Sequence, residues 1–292
     1  MTGSSDPGAP DAHARVSWWP APAKLNLFLH VTGRYADGYH ALQTIFQLID
    51  RCDRIGLAVR RDGRIERRAG LAGVEPQRDL AVRAARLLQE YTGITLGADV
   101  HVDKHIPAGG GLGGGSSDAA TVLLGLNALW GTQVPRGELA RLGLALGADV
   151  PVFVGGHSAW GEGRGEQLWP LALPPRCYLV LHPQVAVSTA EVFQSPDLTR
   201  NSAVITLREY AAECVGNVCE PVVRARYPQV AEALEWLSHE ARVGAQLTGT
   251  GSCIFAGFER EQDARQIAAR IPARWSGFVA RGLDRSPLHA ML

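Results

Sequence analysis

Only two of the 29 basic residues in this chain are lysines, Lys24 and Lys104. An ammonium is a compact point charge that a planar guanidinium does not replace everywhere, so both positions are candidates for charge chemistry. Lys24 opens "KLNLFLHV", whose apolar residues alternate as in a half-buried strand. The alternation predicts Leu25, Leu27, Leu29 and Val31 on one face and Lys24, Asn26, Phe28 and His30 on the other. Residues two apart on a strand lie roughly 7 Å apart on one face, which sets an ammonium beside an amide. Asp149 lies in "GADVP", just past a predicted helix end and two residues before Pro151. That places a carboxylate in a tight turn on rigid shoulders, where an aspartate is commonly a turn or cap residue.

The third feature is "IPAGGGLGGGSSDAAT", residues 106–121, with six glycines in the seven positions 109–115. A strand is expected before it and a helix after it. Glycines let backbone N–H groups converge on an anion, and a helix start adds its positive dipole end, so the order predicts a phosphate-binding loop. The loop lacks the lysine of a Walker A sequence. No βαβ unit with a downstream ribose acid supports a dinucleotide fold. Lys104, just upstream, is the expected source of positive charge beside the loop. A second cluster, "LTGTGSC" (247–253), brings Thr248, Gly249 and Thr250 to the same site or simply turns a hairpin.

These groups must be carried by regular elements. Strand patterns cover "TIFQLI", "RIGLAVR" and "GADVHVDKHI" in addition to the Lys24 strand, and a D-G turn precedes Tyr39 and His40. Helical periodicity covers "DLAVRAARLLQEYTG", closing on Gly93, and "SSDAATVLLGLNALWG", closing on Gly131 with a serine or aspartate as the expected N-cap. "RGELARLGLALG" is a third helix. A second unit of strands and helices starts near residue 176, with a helical stretch over about 220–241 and a hairpin around the second glycine cluster. Irregular interleaving predicts an α+β fold rather than a doubly wound parallel sheet. The expected division is a disordered tail at 1–15, an N-terminal domain carrying the phosphate-binding loop at 16–175 and a C-terminal domain at 176–292.

Composition narrows the function further. The formal net charge is zero, which argues against a general nucleic-acid or membrane-surface binder. No apolar run approaches the roughly 18 residues of a membrane span. Five cysteines in no metal-ligand spacing fit free thiols in a reducing cytoplasm.

Together these stretches resemble the GHMP kinases. "IPAGGGLGGGSSDAAT" is similar to their P-x-x-x-G-L-x-x-x-S-S motif. "PAKLNLFLHVTGRYADGYHALQT", "LGADVPVFVGGHSAWGEGRGE", "LTGTGSCIFAGF" and "SPLHAML" resemble, in order, those members acting on a cytidyl diphospho-sugar-alcohol, and the likeness runs from about Trp18 to Leu292. The resemblance implies a two-domain fold, N-terminally like ribosomal protein S5 domain 2 and C-terminally ferredoxin-like. It implies that ATP, the co-substrate, is wrapped by Ala108, Gly109, Gly110, Gly111, Leu112, Gly113, Gly114, Gly115, Ser116, Ser117 and Asp118. It assigns catalysis to Lys24 and Asp149, and acceptor contacts to Asn26, Tyr39, His40 and Thr189, with Phe193 stacking with Tyr39 around the cytosine. Magnesium is expected with ATP, but the sequence shows no cluster dedicated to it; Glu162, Glu166, Ser116 and Ser117 are the candidates at hand.

The implied activity is ATP-dependent phosphorylation of the 2-hydroxyl of that acceptor, in the non-mevalonate route to isoprenoid precursors, by a cytoplasmic monomer or weak homodimer. The acceptor hydroxyl would lie between Asp149 and the γ-phosphate, with Lys24 offsetting charge on the transferring group. Two positions depart from the pattern: His30, where an aromatic residue is common, and Val218 in "GNVCEP", where an acid is usual. Two other functions fit parts of the pattern. A GHMP kinase for homoserine or mevalonate would keep the loop without needing an aromatic clamp. A non-catalytic nucleotide-binding regulator would not need Lys24 and Asp149.

Overall fold

The computed structural model describes residues 15–69, 75, 77–212 and 215–292; the expected tail, apart from Arg15, and Cys214 lie outside them. The chain runs β1 (Ser17–Arg34), β2 (His40–Arg60), β3 (Ile65–Ala69), α1 (Leu80–Thr92), β4 (Gly97–Asp103), α2 (Gly114–Trp130), α3 (Arg136–Leu144) and α4 (Val150–Gly155). It continues with β5 (Ala159–Glu162), β6 (Gln167–Pro170), β7 (Cys177–His182), α5 (Thr189–Gln194), α6 (Leu207–Ala212) and α7 (Glu220–Arg226). Last come α8 (Pro228–Ala241), β8 (Ala245–Leu247), β9 (Ile254–Phe258), α9 (Glu261–Ala268), β10 (Ser276–Leu283) and a 3₁₀ turn at Pro287–Ala290. The described strands form one sheet in the order β3-β4-β2-β10-β7-β9-β8, with β1 and β5 also on β2. Among the named strands only β3 and β4 pair in parallel, as an α+β fold requires. β10 joins both halves of the sheet, pairing with β7 along its length and with β2 through Gly282 and Leu283.

One core lies between the β1–β2–β4 sheet and helices α1–α4, centred on α2. From Ser117 to Leu126 every residue of α2 is buried, the pattern of a helix enclosed on all sides. A second core packs α5 and α7–α9 on β7–β9, and a third joins Ala23 and Leu25 of β1 to Tyr178, Val180 and Phe255.

Three local expectations change. Helix α2 begins three residues after the first loop glycines end, but its N-cap is Gly113 in the left-handed conformation, with no side-chain cap; the serines and Asp118 are inside the helix. The 220–241 stretch is two helices, broken at Tyr227 (φ −125°, ψ 82°), because Pro228 disfavours helical geometry in the residue before it. In β1 the register slips between Asn26, opposite Phe46, and Leu29, opposite Thr44. This bulge puts an extra residue into β1. Leu29 therefore shares the face of Lys24 and Asn26, while Phe28 packs against Trp160 and Tyr210.

Candidate active site

The glycine loop follows β4 and is tied to β1 by the Lys24 backbone N–H, which donates to the Leu112 carbonyl at 3.0 Å. Gly109, Gly111 and Gly113 have φ of +69°, +76° and +71°, a left-handed geometry that side chains disfavour. A methyl group on Gly110 would meet Cys253 Sγ at 2.5 Å, and one on Gly111 would meet the Thr248 carbonyl at 2.2 Å. The glycines thus serve close approach as well as turning. The two glycine clusters are laced together: Ser252 N and Cys253 N donate to the carbonyls of Gly109 and Gly110. Leu112 anchors the loop by burying its side chain in the third core.

Lys24 enters from β1 beneath this loop. Its side chain is almost wholly buried, and its ammonium donates to Asn26 Oδ1 at 2.6 Å and to the Gly111 carbonyl at 2.8 Å. Asp149 Oδ2 lies 3.3 Å from the same nitrogen. Asp149 occupies the N-cap position of α4, yet its side chain makes no cap hydrogen bond. It is turned to Lys24, and a third of it is exposed, a poised carboxylate and not a helix cap. Asn26 is itself fixed: its Nδ2 donates to Thr44 Oγ1 at 2.9 Å, and its backbone N–H donates to Thr248 Oγ1 at 2.9 Å.

A cavity of about 280 Å³ opens onto this pair, lined by Lys24, Asn26, Phe46, Gly111, Gly113, Ser116, Asp149, Gly249 and Thr250, among others. A groove of about 620 Å³ adjoins it, containing Tyr39, His40, Thr189 and Phe193. Leu42, Ala148, Arg164, Thr189 and Phe193 line both spaces. Phe193 stacks on His40 at 5.1 Å between ring centroids, and Tyr39 stands 59% exposed. Arg200 Nε donates to His40 Nε2 at 3.2 Å. Burial, then the charges of Arg200 and Arg34, lower the His40 pKa, so the neutral ring accepts that bond. Thr189 and Thr250 are hydrogen-bonded through their hydroxyls at 2.9 Å.

Several expected contacts fall elsewhere. Lys104 does not line the cavity; its ammonium is held between Asp53 and Asp118, 2.8 Å from the latter. Asp53 also accepts from the N–H groups of His105 and Ile106, so this cluster ties β2, the start of the loop and α2 together. Burial pushes the Asp118 carboxyl up to about 7, against the pull of Lys104 and with Asp53 adding to the rise. Ser117 is buried and its hydroxyl has no hydrogen-bond partner among the described residues. Thr248 is fully buried, its hydroxyl committed to Asn26 and to the Gly111 carbonyl at 3.5 Å. Glu162 accepts from Gln43 and Trp160, and Glu166 from the Arg164 backbone; neither lines the cavity. Ala108 and Gly109 are exposed on the loop.

Residues not anticipated from sequence complete the site. Asn217, next to the acid-lacking Val218, donates to the carbonyls of Leu247 and Gly249 at 2.9 and 2.7 Å, holding the second glycine cluster. Val218 itself packs on the second core. Arg200 holds the groove wall through the carbonyls of Phe193, Ser195 and Leu198. Arg164 lies over Tyr39 with its guanidinium carbon 4.4 Å from the ring centroid. Their chemistry was legible as residue type, but nothing in their spacing tied them to Lys24 or Asp149.

The four described cysteines are free thiols. No group of three or more His, Cys, Asp or Glu among the described residues is arranged to hold a metal ion. No helix among them is long and apolar enough to cross a membrane.

Comparison with known proteins agrees with this geometry. The GHMP kinases N terminal domain description matches residues 79–157, and the GHMP kinases C terminal description matches 197–277. The 4-diphosphocytidyl-2-C-methyl-D-erythritol kinase of Halorhodospira halophila is 59% identical over 279 residues, covering 94% of this chain and 96% of its own. That of Alkalilimnicola ehrlichii is 59% identical over 276 residues, covering 94% of each chain. A crystal structure of 4-(cytidine 5'-diphospho)-2C-methyl-D-erythritol kinase superposes with a TM-score of 0.78 at 35% identity, covering 91% of this chain and 99% of its own. Homoserine kinase from Cytophaga hutchinsonii, at 15% identity, covers 98% of each chain with a TM-score of 0.63 and shares the fold. With a buried lysine and a poised aspartate beneath a glycine loop, and relatives this close over nearly its full length, the chain belongs to the 4-diphosphocytidyl-2-C-methyl-D-erythritol kinase family of the GHMP kinases.

Proposed function

We propose that the protein transfers the γ-phosphate of ATP to the 2-hydroxyl of 4-diphosphocytidyl-2-C-methyl-D-erythritol. The observation that carries this reading is the continuity of the cleft. The Lys24–Asp149 pair lies in one space and the Tyr39, His40 and Phe193 rings in the next, with five residues common to both. A small acceptor such as homoserine or mevalonate has no part to fill the aromatic groove, whereas a cytosine ring does.

In this reading the loop from Ala108 to Asp118 wraps the ATP phosphates, with Gly111, Gly113 and Ser116 facing the cavity. Leu112, Ser117, Asp118 and Lys104 act from beneath by fixing the loop's shape. Asp149 accepts or orients the proton of the acceptor hydroxyl. Lys24, fixed by Asn26 and the Gly111 carbonyl, offsets the charge that spreads over the transferring phosphoryl oxygens. Little covalent work is needed, so positioning dominates. Tyr39 and Phe193 flank the cytosine, with His40, Asn26, Thr189, Gly249 and Thr250 around the acceptor. Thr248 serves by holding Asn26.

Magnesium would come with ATP, held mainly by phosphate oxygens and water, as this ion commonly is; the Ser116 hydroxyl on the cavity wall fits such a sparse donor set. Its contribution would be neutralisation of phosphate charge. Residues 16–175 and 176–292 form the two proposed domains, a division supported by the family matches on either side of residue 176. Free cysteines support a cytoplasmic setting. The purified protein, given ATP with the cytidyl acceptor, homoserine or mevalonate in turn, should release ADP with the first alone. Turnover of either small alcohol at comparable efficiency overturns the reading.

A further inference from the structure

Arg164 stands where the catalytic cavity meets the aromatic groove, and it lines both. Lys24 and Arg164 are the lysine and arginine side chains among the described residues lining the catalytic cavity. They are not equivalent. The three donors of Lys24 already face Asn26, Gly111 and Asp149. The Arg164 guanidinium bonds through Nη2 to Asp37, while its Nε and Nη1 have no hydrogen-bond partner among the described residues. About a third of the side chain is exposed. The turn that presents it is tight, with Gly163 and Gly165 at φ +73° and +107° on either side, and its backbone N–H is tied to Glu166.

An acceptor that puts its cytosine in the groove and its alcohol at Asp149 must carry its diphosphate across the boundary between the two spaces. Those negative charges need donors there, and a guanidinium fork matches phosphate oxygens in pairs. We infer that Arg164 is the residue that binds the acceptor's diphosphate, exchanging its bond to Asp37 for phosphate oxygens while remaining stacked on Tyr39. This inference rests on the substrate reading above and goes beyond it by assigning the diphosphate a residue. Asp37 holds the guanidinium in place in the free protein, and the stacking contacts with Tyr39 and Tyr35, at 4.4 and 5.3 Å, limit where it can swing.

Calorimetric titration with cytidine, CMP and CDP tests it. Wild type should bind CDP more tightly than cytidine, and Arg164→Met should remove roughly 10- to 100-fold of CDP affinity, as loss of charged hydrogen bonds does. Cytidine affinity should stay nearly the same in that variant. In turnover, Arg164→Met should raise KM for the acceptor with little change in KM for ATP. Asp37→Asn should leave CDP binding intact or tighter, because it frees the guanidinium. Equal weakening of cytidine and CDP in Arg164→Met would instead make Arg164 a brace for Tyr39 and overturn the inference, as would loss of CDP binding in Asp37→Asn. If wild type phosphorylates the cytidyl acceptor but Arg164→Met keeps its CDP advantage, only this inference falls. If wild type neither binds CDP nor uses the acceptor, both it and the functional reading fall.

Discussion

Changing Asp149 to asparagine separates the two roles open to this residue. The substitution is nearly isosteric and leaves the start of α4 without a lost hydrogen bond, because the carboxylate makes none there. What it removes is a charge 3.3 Å from Lys24 Nζ. Two unit charges at that distance interact by about 5 kcal/mol at an effective dielectric of about 20. A third of the Asp149 side chain is exposed, so solvent screens the pair and the net loss should be nearer ~1 kcal/mol. For a chain of this size that is a fall in Tm of roughly 2–4 °C. The chemical cost is much larger. A positioned base contributes about 10²- to 10⁴-fold to rate, or about 3–5 kcal/mol of barrier. Steady-state ADP release should therefore show kcat down by that factor, with KM for ATP within about threefold of wild type because the loop is intact. Two results would refute this reasoning. One is a kcat within a few-fold of wild type. The other is a Tm loss several times larger than stated, which would make Asp149 a structural cap.

Other consequences are equally specific. Gly111→Ala forces a side chain into left-handed geometry and against the Thr248 carbonyl; it should cost at least ~1–2 kcal/mol and weaken ATP binding, read by thermal melting and nucleotide titration. Thr248→Val leaves the buried Asn26 N–H without its acceptor, so urea melts should show about 1–3 kcal/mol lost, and kcat should fall as Asn26 loosens its hold on Lys24. Lys24→Arg must fit a wider head between Asn26 and Gly111; overpacking of about 1–3 kcal/mol and a misplaced charge should together lower kcat by at least tenfold, which the same ADP assay reads. The His289 pKa is lowered to about 4 by burial first and then by Arg136, His157 and Arg285. Its folded value lies below the ordinary one, so its contribution to stability is full above about pH 6.5 and is lost as pH falls toward 4. Between pH 7 and pH 4.5 this accounts for about 2–3 kcal/mol, and denaturant melts of His289→Ala should show a correspondingly shallower acid dependence.

The parts of the site that were legible in sequence are those whose partners are close along the chain. The strand–glycine–helix order and the left-handed glycines ending α1 and α2 depend on local backbone preferences. The neighbouring placement of Lys24 and Asn26 follows from strand period alone. The rest depends on distant partners. The bulge after Asn26 exists only against β2, and it moves Leu29 to the face where period alone put Phe28. Lys104 read as the positive charge beside the loop because its partner Asp53 lies 51 positions away. Thr248 looked like a ligand contact because threonine type alone does not reveal that Asn26 uses its hydroxyl. Arg164 was one arginine among many until the fold laid its turn over Tyr35 and Tyr39. The two-helix break at Tyr227, by contrast, was readable from Pro228.

The most direct test of the whole account is where the phosphate lands. The protein would be incubated with ATP and 4-diphosphocytidyl-2-C-methyl-D-erythritol, and the product followed by phosphorus NMR and mass spectrometry. The account predicts stoichiometric ADP and one new phosphomonoester on the 2-hydroxyl, with the diphosphate resonances of the acceptor retained. A phosphomonoester elsewhere on the acceptor, or ATP left unconsumed while mevalonate or homoserine is phosphorylated, would contradict it.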